Sequence, residues 1–326
     1  MKVLITGGNG FIGSHLIERL LTHHYEIVCL VRRTSNLQWI RDLPVEFAYG
    51  DITDFQSLYS IISNVDYVYH LGGTLRAKRA DDFFKINVEG TKNLLEVCKQ
   101  KNVKLKRFIY VSSQAAAGPS QDGIPLTEAD SANPVSLYGT SKLKAEQVVF
   151  DYSKYFPVTI IRPPAVYGPR DDDILQFFKY VKLGVKPVIG NPHKNVAVIY
   201  IYDLIRGVVL AAEHPDAENE LFFMADRNDY TWKDVYDTIA RVMNKKAIMI
   251  CMPTPIVSMM AAINETGARL FNRTAIFNHD KTDEMKQRYW LVDCSKAEQK
   301  LGFTAQTTLE QGFKETYEWY RVHGWI

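Results

Sequence analysis

Two short stretches hold side chains whose types and spacing suit acid–base chemistry on a hydroxyl or a carbonyl. "YGTSK" places Lys142 four residues after Tyr138. On a helix that spacing puts both side chains on one face. A free phenol titrates near ~10, too high for a base at neutral pH. A neighbouring ammonium favours the phenolate, and each unit by which the pKa falls corresponds to about 1.4 kcal/mol. Upstream, "YVSSQ" ends a short run of strand-forming residues with Ser113. Its hydroxyl could orient the oxygen that Tyr138 protonates or deprotonates. Ser112 stands beside it and is the weaker candidate.

A second pattern supplies a redox partner. "TGGNGFIG" (6–13) follows the apolar run "KVLIT" and opens a helical pattern. Gly7 allows a tight turn, Gly10 lets the backbone approach a pyrophosphate, and Gly13 lets helix and strand pack closely. The amides of Phe11, Ile12 and Gly13 would face the phosphates with the positive end of the helix dipole. The pattern predicts a dinucleotide, and an oxidised nicotinamide would add its own positive charge beside Tyr138. Lys142 would then bond the nicotinamide ribose. The second apolar run, "EIVCLV", ends in Arg32 and Arg33 where an acid would hold the adenosine ribose. A guanidinium fork fits a phosphate, so the expected cofactor is NADP, with NAD as the other possibility. In "GDITD" (50–54), Asp51 could accept from the adenine amino group with Ile52 beside it, while Thr53 or Asp54 caps the next helix.

These residues need a scaffold, and the chain spells one. Strand-like runs at 2–6, 26–31, 45–49, 66–71, 107–113 and 157–163 alternate with helical patterns at 11–22, about 81–100 and about 137–154. Such alternation predicts an α/β fold, a Rossmann-type doubly wound parallel sheet. After Arg162 prolines and loops multiply, and helical patterns recur near 172–183, 202–213, 231–243, 254–270 and 308–321. The expected division is a cofactor-binding domain over 1–166, joined again by about 196–214, and a smaller C-terminal α+β substrate lobe in the remainder of 167–326. The apolar stretch 247–263 reads as strand, turn and core helix, or as a Met-rich wall for an apolar substrate.

The ordered motifs "TGGNGFIG", "GDITD", "YHLGGT", "NVEGTKNLLE", "RFIYVSS", "YGTSK", "RPPAVYGPRD" and "SKAEQKLGF" run over essentially the whole chain. Together they resemble the extended short-chain dehydrogenases/reductases, which include sugar-nucleotide epimerases, dehydratases and ketone reductases. The resemblance implies a Ser113–Tyr138–Lys142 triad. It places Leu71, Gly72 and Gly73 under the cofactor, gives Asn87 a structural role, and sets Pro163 to Val166 beside the nicotinamide. It also implies a homodimer through helices near 83–100 and 137–154. Thr74, Arg76, Gln114, Tyr167 and His193 are substrate candidates by position. Three departures stand out: "LGG" replaces the family's "LAA", Ala117–Gly118 replaces Tyr-Gly, and "NPHKNVAVIYIYD" carries Lys194 where sugar-nucleotide enzymes tend to have an arginine. The expected activity is oxidoreduction of a small carbonyl or hydroxyl compound, an apolar one among the options. The alternatives are a nucleotide-sugar epimerase or dehydratase, and a cofactor-sensing protein without catalysis.

Composition bounds the rest. The chain has 326 residues, 46% apolar, enough for a large core. Thirty-nine Lys and Arg against 37 Asp and Glu leave a net charge of +2, which gives no reason to expect a nucleic acid partner. Four scattered cysteines without ligand spacing predict reduced thiols, no metal and a cytoplasmic location. No apolar run reaches the length of a membrane span.

Overall fold

The computed structural model describes residues 1–62, 64–77, 79–102, 104–257, 259 and 279–326. Its centre is a seven-stranded parallel sheet. The first three strands are β1 (Lys2–Thr6), β2 (Glu26–Val31) and β3 (Glu46–Tyr49), and β4 (Tyr67–His70), β5 (Arg107–Val111) and β6 (Val158–Arg162) follow. The sheet runs β3-β2-β1-β4-β5-β6 and is extended beyond β6 by β11 (Glu220–Phe223), every neighbouring pair parallel. The order reverses between β1 and β4, which opens a crevice at their C-terminal ends. This is the Rossmann-type doubly wound sheet that the strand–helix alternation predicts.

Both faces are covered, as a buried parallel sheet requires. On one face α1 (Phe11–Thr22) and α8 (Ile201–Glu213) join a core with Leu16, Ile17, Leu20, Ile205 and Val208. On the other, α4 (Gly90–Lys101) and α6 (Leu137–Asp151) contribute Leu94, Leu95, Ala145 and Val149. The small helices α2 (Phe55–Leu58), α3 (Ala80–Phe84) and α5 (Gln114–Ala117) lie in the connections. The helix read as continuous over 81–100 is broken by a π turn at Lys85–Glu89. Such turns appear frequently at functional sites, and the buried residue of this one is Asn87.

The C-terminal half adds a smaller α+β lobe. β7 (Ala165–Tyr167) pairs with β10 (Val198–Tyr200). β8 (Val185–Ile189) follows α7 (Asp172–Lys182) and pairs with β13 (Ile248–Met252). β9 (Asn195–Val196) lies between β12 (Tyr230–Thr231) and β14 (Tyr289–Trp290). The remaining helices are α9 (Trp232–Val242), α10 (His279–Lys286), α11 (Ser295–Leu301) and α12 (Leu309–Val322). The short strands and α10 carry too few residues for periodicity to reveal them. Most of the helix expected over 254–270, and with it the end of the apolar stretch 247–263, lies outside the described residues.

The glycine turn shows why the chain departs from "LAA". A Cβ on Gly72 would meet Thr6 Oγ1 at 2.8 Å. That hydroxyl accepts from the Gly72 amide at 3.0 Å and is bonded to His70 Nδ1 at 2.6 Å. His70 is fully buried and its other ring nitrogen meets Thr91 Oγ1 at 2.8 Å, so β1, β4 and α4 are knotted beneath the turn. Burial pushes the His70 pKa down to about 3, keeping the ring neutral. Gly72→Ala should therefore lower unfolding stability in urea by roughly 1–3 kcal/mol. Adding Thr6→Ala, which clears the contact, should return part of the loss if the clash is the cause.

Candidate active site

The crevice at the strand reversal is built from backbone. Gly7 adopts φ +72°, and a Cβ there would lie 2.8 Å from the Gly72 nitrogen. A Cβ on Gly13 would lie 2.2 Å from the Gly7 carbonyl oxygen. A Cβ on Gly10 would meet only that oxygen, at 3.3 Å, leaving its other side open. Helix α1 is capped at Gly10 by no side chain and has no acid in its first turn. Its leading amides, Phe11 to Gly13, are thus open to an anion. These features fit a dinucleotide pyrophosphate. Asp51 Oδ1 accepts from the Thr53 amide and hydroxyl, both at 2.8 Å, while Asp54 caps α2. Ile52 packs against Gly90 of α4.

Asn87 ties the floor of the crevice to α6. Its Oδ1 accepts from the Thr74 amide at 2.8 Å, and its Nδ2 donates to Thr74 O at 3.1 Å and Ser141 Oγ at 2.9 Å. The loop from Leu71 to Thr74 is thereby fixed relative to α6.

Ser113 follows two residues after the end of β5 and caps α5, accepting from the Ala115 amide at 3.1 Å. The Ser113 hydroxyl lies close enough to the Tyr138 phenol to favour its ionised form. Ser112 points away and donates to Glu146 at 2.5 Å. Two turns of α6 put Tyr138, Lys142 and Glu146 on the face toward the sheet. Lys142 is buried, donates to Val111 O at 2.8 Å and lies 4.2 Å from the Tyr110 ring. Glu146 is held by Arg162 through two bonds of 2.9 and 2.6 Å. Gln114 donates its backbone amide to Pro163 O at 2.8 Å, joining α5 to the segment Pro163–Val166. Its buried Nε2 has no partner, leaving a donor for a ligand atom.

The electrostatics differ from the sequence expectation of a phenol lowered by a standing ammonium. Burial pushes the Tyr138 pKa up, and the nearby Ser113 hydroxyl pulls against it. Burial also pushes Lys142 down to about 7, with the Glu146 carboxylate opposing. Without a ligand, the low-dielectric setting favours the neutral form of both groups.

Two carboxylates from the C-terminal lobe were not singled out in the sequence. Asp280 accepts from the amides of Leu137 and Tyr138, the latter at 3.3 Å, and Glu284 accepts from Ser136 Oγ at 2.7 Å. They occupy the positive end of α6, and Glu284 adds to the upward push on Tyr138. Their spacing of four residues in "HDKTDEMK" was the available signal. Lys194 explains their placement. Its buried ammonium donates to Met285 O at 2.9 Å and Lys286 O at 3.0 Å, closing the end of α10.

The substrate candidates part company. Thr74 and Gln114 border the crevice. Arg76 is paired with Asp173 at 2.5 Å. Tyr167 is buried against Phe313, ring centroids 4.6 Å apart. His193 is exposed in the loop before β9, its backbone amide held by Asn191 Oδ1 at 2.9 Å. Among the described residues no group of three His, Cys, Asp or Glu side chains is arranged to hold a metal, and no helix is long and apolar enough to cross a membrane.

Lys142 makes a prediction about pH. A lysine whose folded pKa lies near 7 and whose unfolded pKa lies near ~10.4 binds fewer protons folded than unfolded across that window. Stability should therefore rise as pH increases from about 7 towards 10. Lys142→Met should flatten this rise in chemical denaturation series. An unchanged slope would place Lys142 in a more solvated setting.

Comparison with known proteins adds three findings. The NAD dependent epimerase/dehydratase family matches residues 3–224. A ceramide reductase of Caulobacter vibrioides is 29% identical over 99% of this chain and 96% of its own length, and a UDP-glucose 4-epimerase of Vibrio cholerae is 28% identical over 97% and 94%. The solved UDP-glucuronic acid 4-epimerase of Bacillus cereus, in complex with UDP-glucuronic acid and NAD, superposes with a TM-score of 0.78 at 25% identity, covering 99% of this chain and 100% of that one. These findings overturn the expectation of NADP: the family is NAD dependent, and the Bacillus relative holds NAD. The Arg33 guanidinium lies 5.3 Å from the Tyr49 ring and the Arg32 amide is held by Ser35 Oγ at 3.1 Å, both side chains exposed in a basic surface turn. With its parallel sheet, glycine turn and matching sequence profile, the chain belongs to the NAD dependent epimerase/dehydratase family.

Proposed function

We propose that the chain is an NAD-dependent enzyme of the epimerase/dehydratase type, acting at a secondary hydroxyl carbon of a sugar nucleotide. The observation that carries it is the convergence of Ser113, Tyr138 and Lys142 at the C-terminal edge of β5, beside the glycine turn, with Lys142 donating to Val111 O at 2.8 Å and Ser113 near enough to the phenol to favour its ionised form. Bound NAD would supply the acceptor for the hydride leaving the carbinol carbon. Tyr138 takes the hydroxyl proton as the carbonyl forms and returns it when the carbonyl is reduced. Ser113 holds the same oxygen through both states. Lys142 takes on positive charge when the phenol loses its proton, which its pKa near 7 allows. Epimerisation returns the hydride to the same molecule, so no reduced cofactor accumulates.

A second reading is net oxidoreduction of a more apolar alcohol or ketone, and a specific observation favours it. Residue 117 is alanine and the Lys194 ammonium is spent on the carbonyls of α10, so neither side chain is offered to a diphosphate. The full-length likeness to a ceramide reductase points the same way.

Purified protein should be incubated with NAD and a panel of UDP-sugars and long-chain secondary alcohols. The first reading expects sugar conversion seen by NMR with flat nicotinamide absorbance. Growth of that absorbance in step with alcohol oxidation would replace it with the second. In either case Tyr138→Phe should cut turnover by about 10²–10⁴-fold with an unchanged melting temperature. Titration of the unmutated protein should show NAD bound at least as tightly as NADP.

A further inference from the structure

The β8–β13 pair leaves an apolar face uncovered among the described residues. The first three side chains of β13 alternate in burial as a half-buried strand should, and Cys251 after them is exposed as well. Met249 packs against the core, while Ile248 and Ile250 are 75% and 46% exposed. The Ile248 amide donates to Gly184 O at 2.9 Å, which brings Leu183, 77% exposed, to the same end. Beyond β13, Ile256 and Met259 are 48% and 59% exposed. Scattered exposed apolar residues are ordinary on a protein surface, whereas a contiguous group with a polar rim marks an interaction site.

The rim has one sign. Lys179, Lys182, Lys245 and Lys246 are exposed, and among the described residues none is in an ion pair. No Asp or Glu occurs between Asp173 and Asp203, or between Asp237 and Glu265. Asp237 itself is taken up by Lys186 and Lys233, at 2.6 and 2.5 Å. This local excess stands against a net charge of only +2 for the whole chain. A second copy of the chain is a poor occupant, because a two-fold contact would set these lysines against themselves. A surface that accepts apolar side chains and carries negative charge meets both features.

We infer that this face docks on an anionic lipid bilayer, with Leu183, Ile248, Ile250, Ile256 and Met259 entering the headgroup–acyl boundary and the four lysines meeting the phosphates. The binding is peripheral. It would bring the C-terminal lobe to the membrane surface whichever substrate class the catalytic centre takes.

Flotation of the full chain with vesicles tests this. Phosphatidylcholine vesicles should leave it in the aqueous fraction, and vesicles with about one third phosphatidylglycerol should carry it up, less so as salt rises. The pairs Lys245→Glu with Lys246→Glu, and Ile248→Asp with Ile250→Asp, should each reduce partitioning about tenfold or more. These side chains are exposed, so melting temperature and circular dichroism should be retained. Failure to float with anionic vesicles, equal flotation with neutral ones, or unaltered flotation of both variants would overturn the inference. So would a dimer that the Ile248→Asp, Ile250→Asp variant splits in the absence of lipid binding.

Discussion

The arrangement depends on one buried ion pair, Glu146 with Arg162. Both side chains are almost inaccessible, and both oxygens of the carboxylate are engaged. Ser112 supplies a further bond at 2.5 Å. Burying two charges is costly, and the cost is offset only when geometry and hydrogen bonding are nearly complete. Here they are, and the pair fixes the rotation of α6 against β5 and β6. Because Tyr138, Lys142 and Glu146 follow one another at four-residue spacing, fixing Glu146 fixes the other two. The pair also assigns the two serines: Ser112 faces Glu146 and Ser113 faces the phenol.

A second constraint is the close approach of the turns after β1 and β4. Gly7 and Gly72 come within a Cβ of each other, with Thr6, His70 and Thr91 bonded beneath them. The open N-terminus of α1 and the floor of the crevice are set by this contact. Asn87 carries the same rigidity across to α6 through Thr74 and Ser141. The glycine turn and α6 are thus joined by a continuous set of hydrogen bonds.

The C-terminal lobe reaches the site through α10. Lys194 binds the carbonyl end of that helix, and Asp280 and Glu284 meet the amide end of α6. The lysine that stands where sugar-nucleotide enzymes tend to have an arginine is a helix cap in the fold. The same lobe presents the apolar, basic face of β8 and β13 on its outside.

The sheet, the glycine turn and the Tyr138–Lys142 spacing were legible in the sequence because they rest on local chemistry. Strand and helix periodicities, a turn that tolerates no side chain, and a four-residue repeat on a helix are written in neighbouring residues. The fate of Arg32 and Arg33 was not legible. Whether a cation at the end of β2 faces a ribose or lies on Tyr49 depends on β3, a strand contributed from elsewhere in the chain. The same holds for the protonation of Tyr138 and Lys142. Residue types suggested a cation beside a phenol, but solvent exclusion by the packed sheet and by α10 pushes both towards neutrality. Charge state is set by the dielectric around a group, and that is a property of the assembled tertiary structure rather than of any segment.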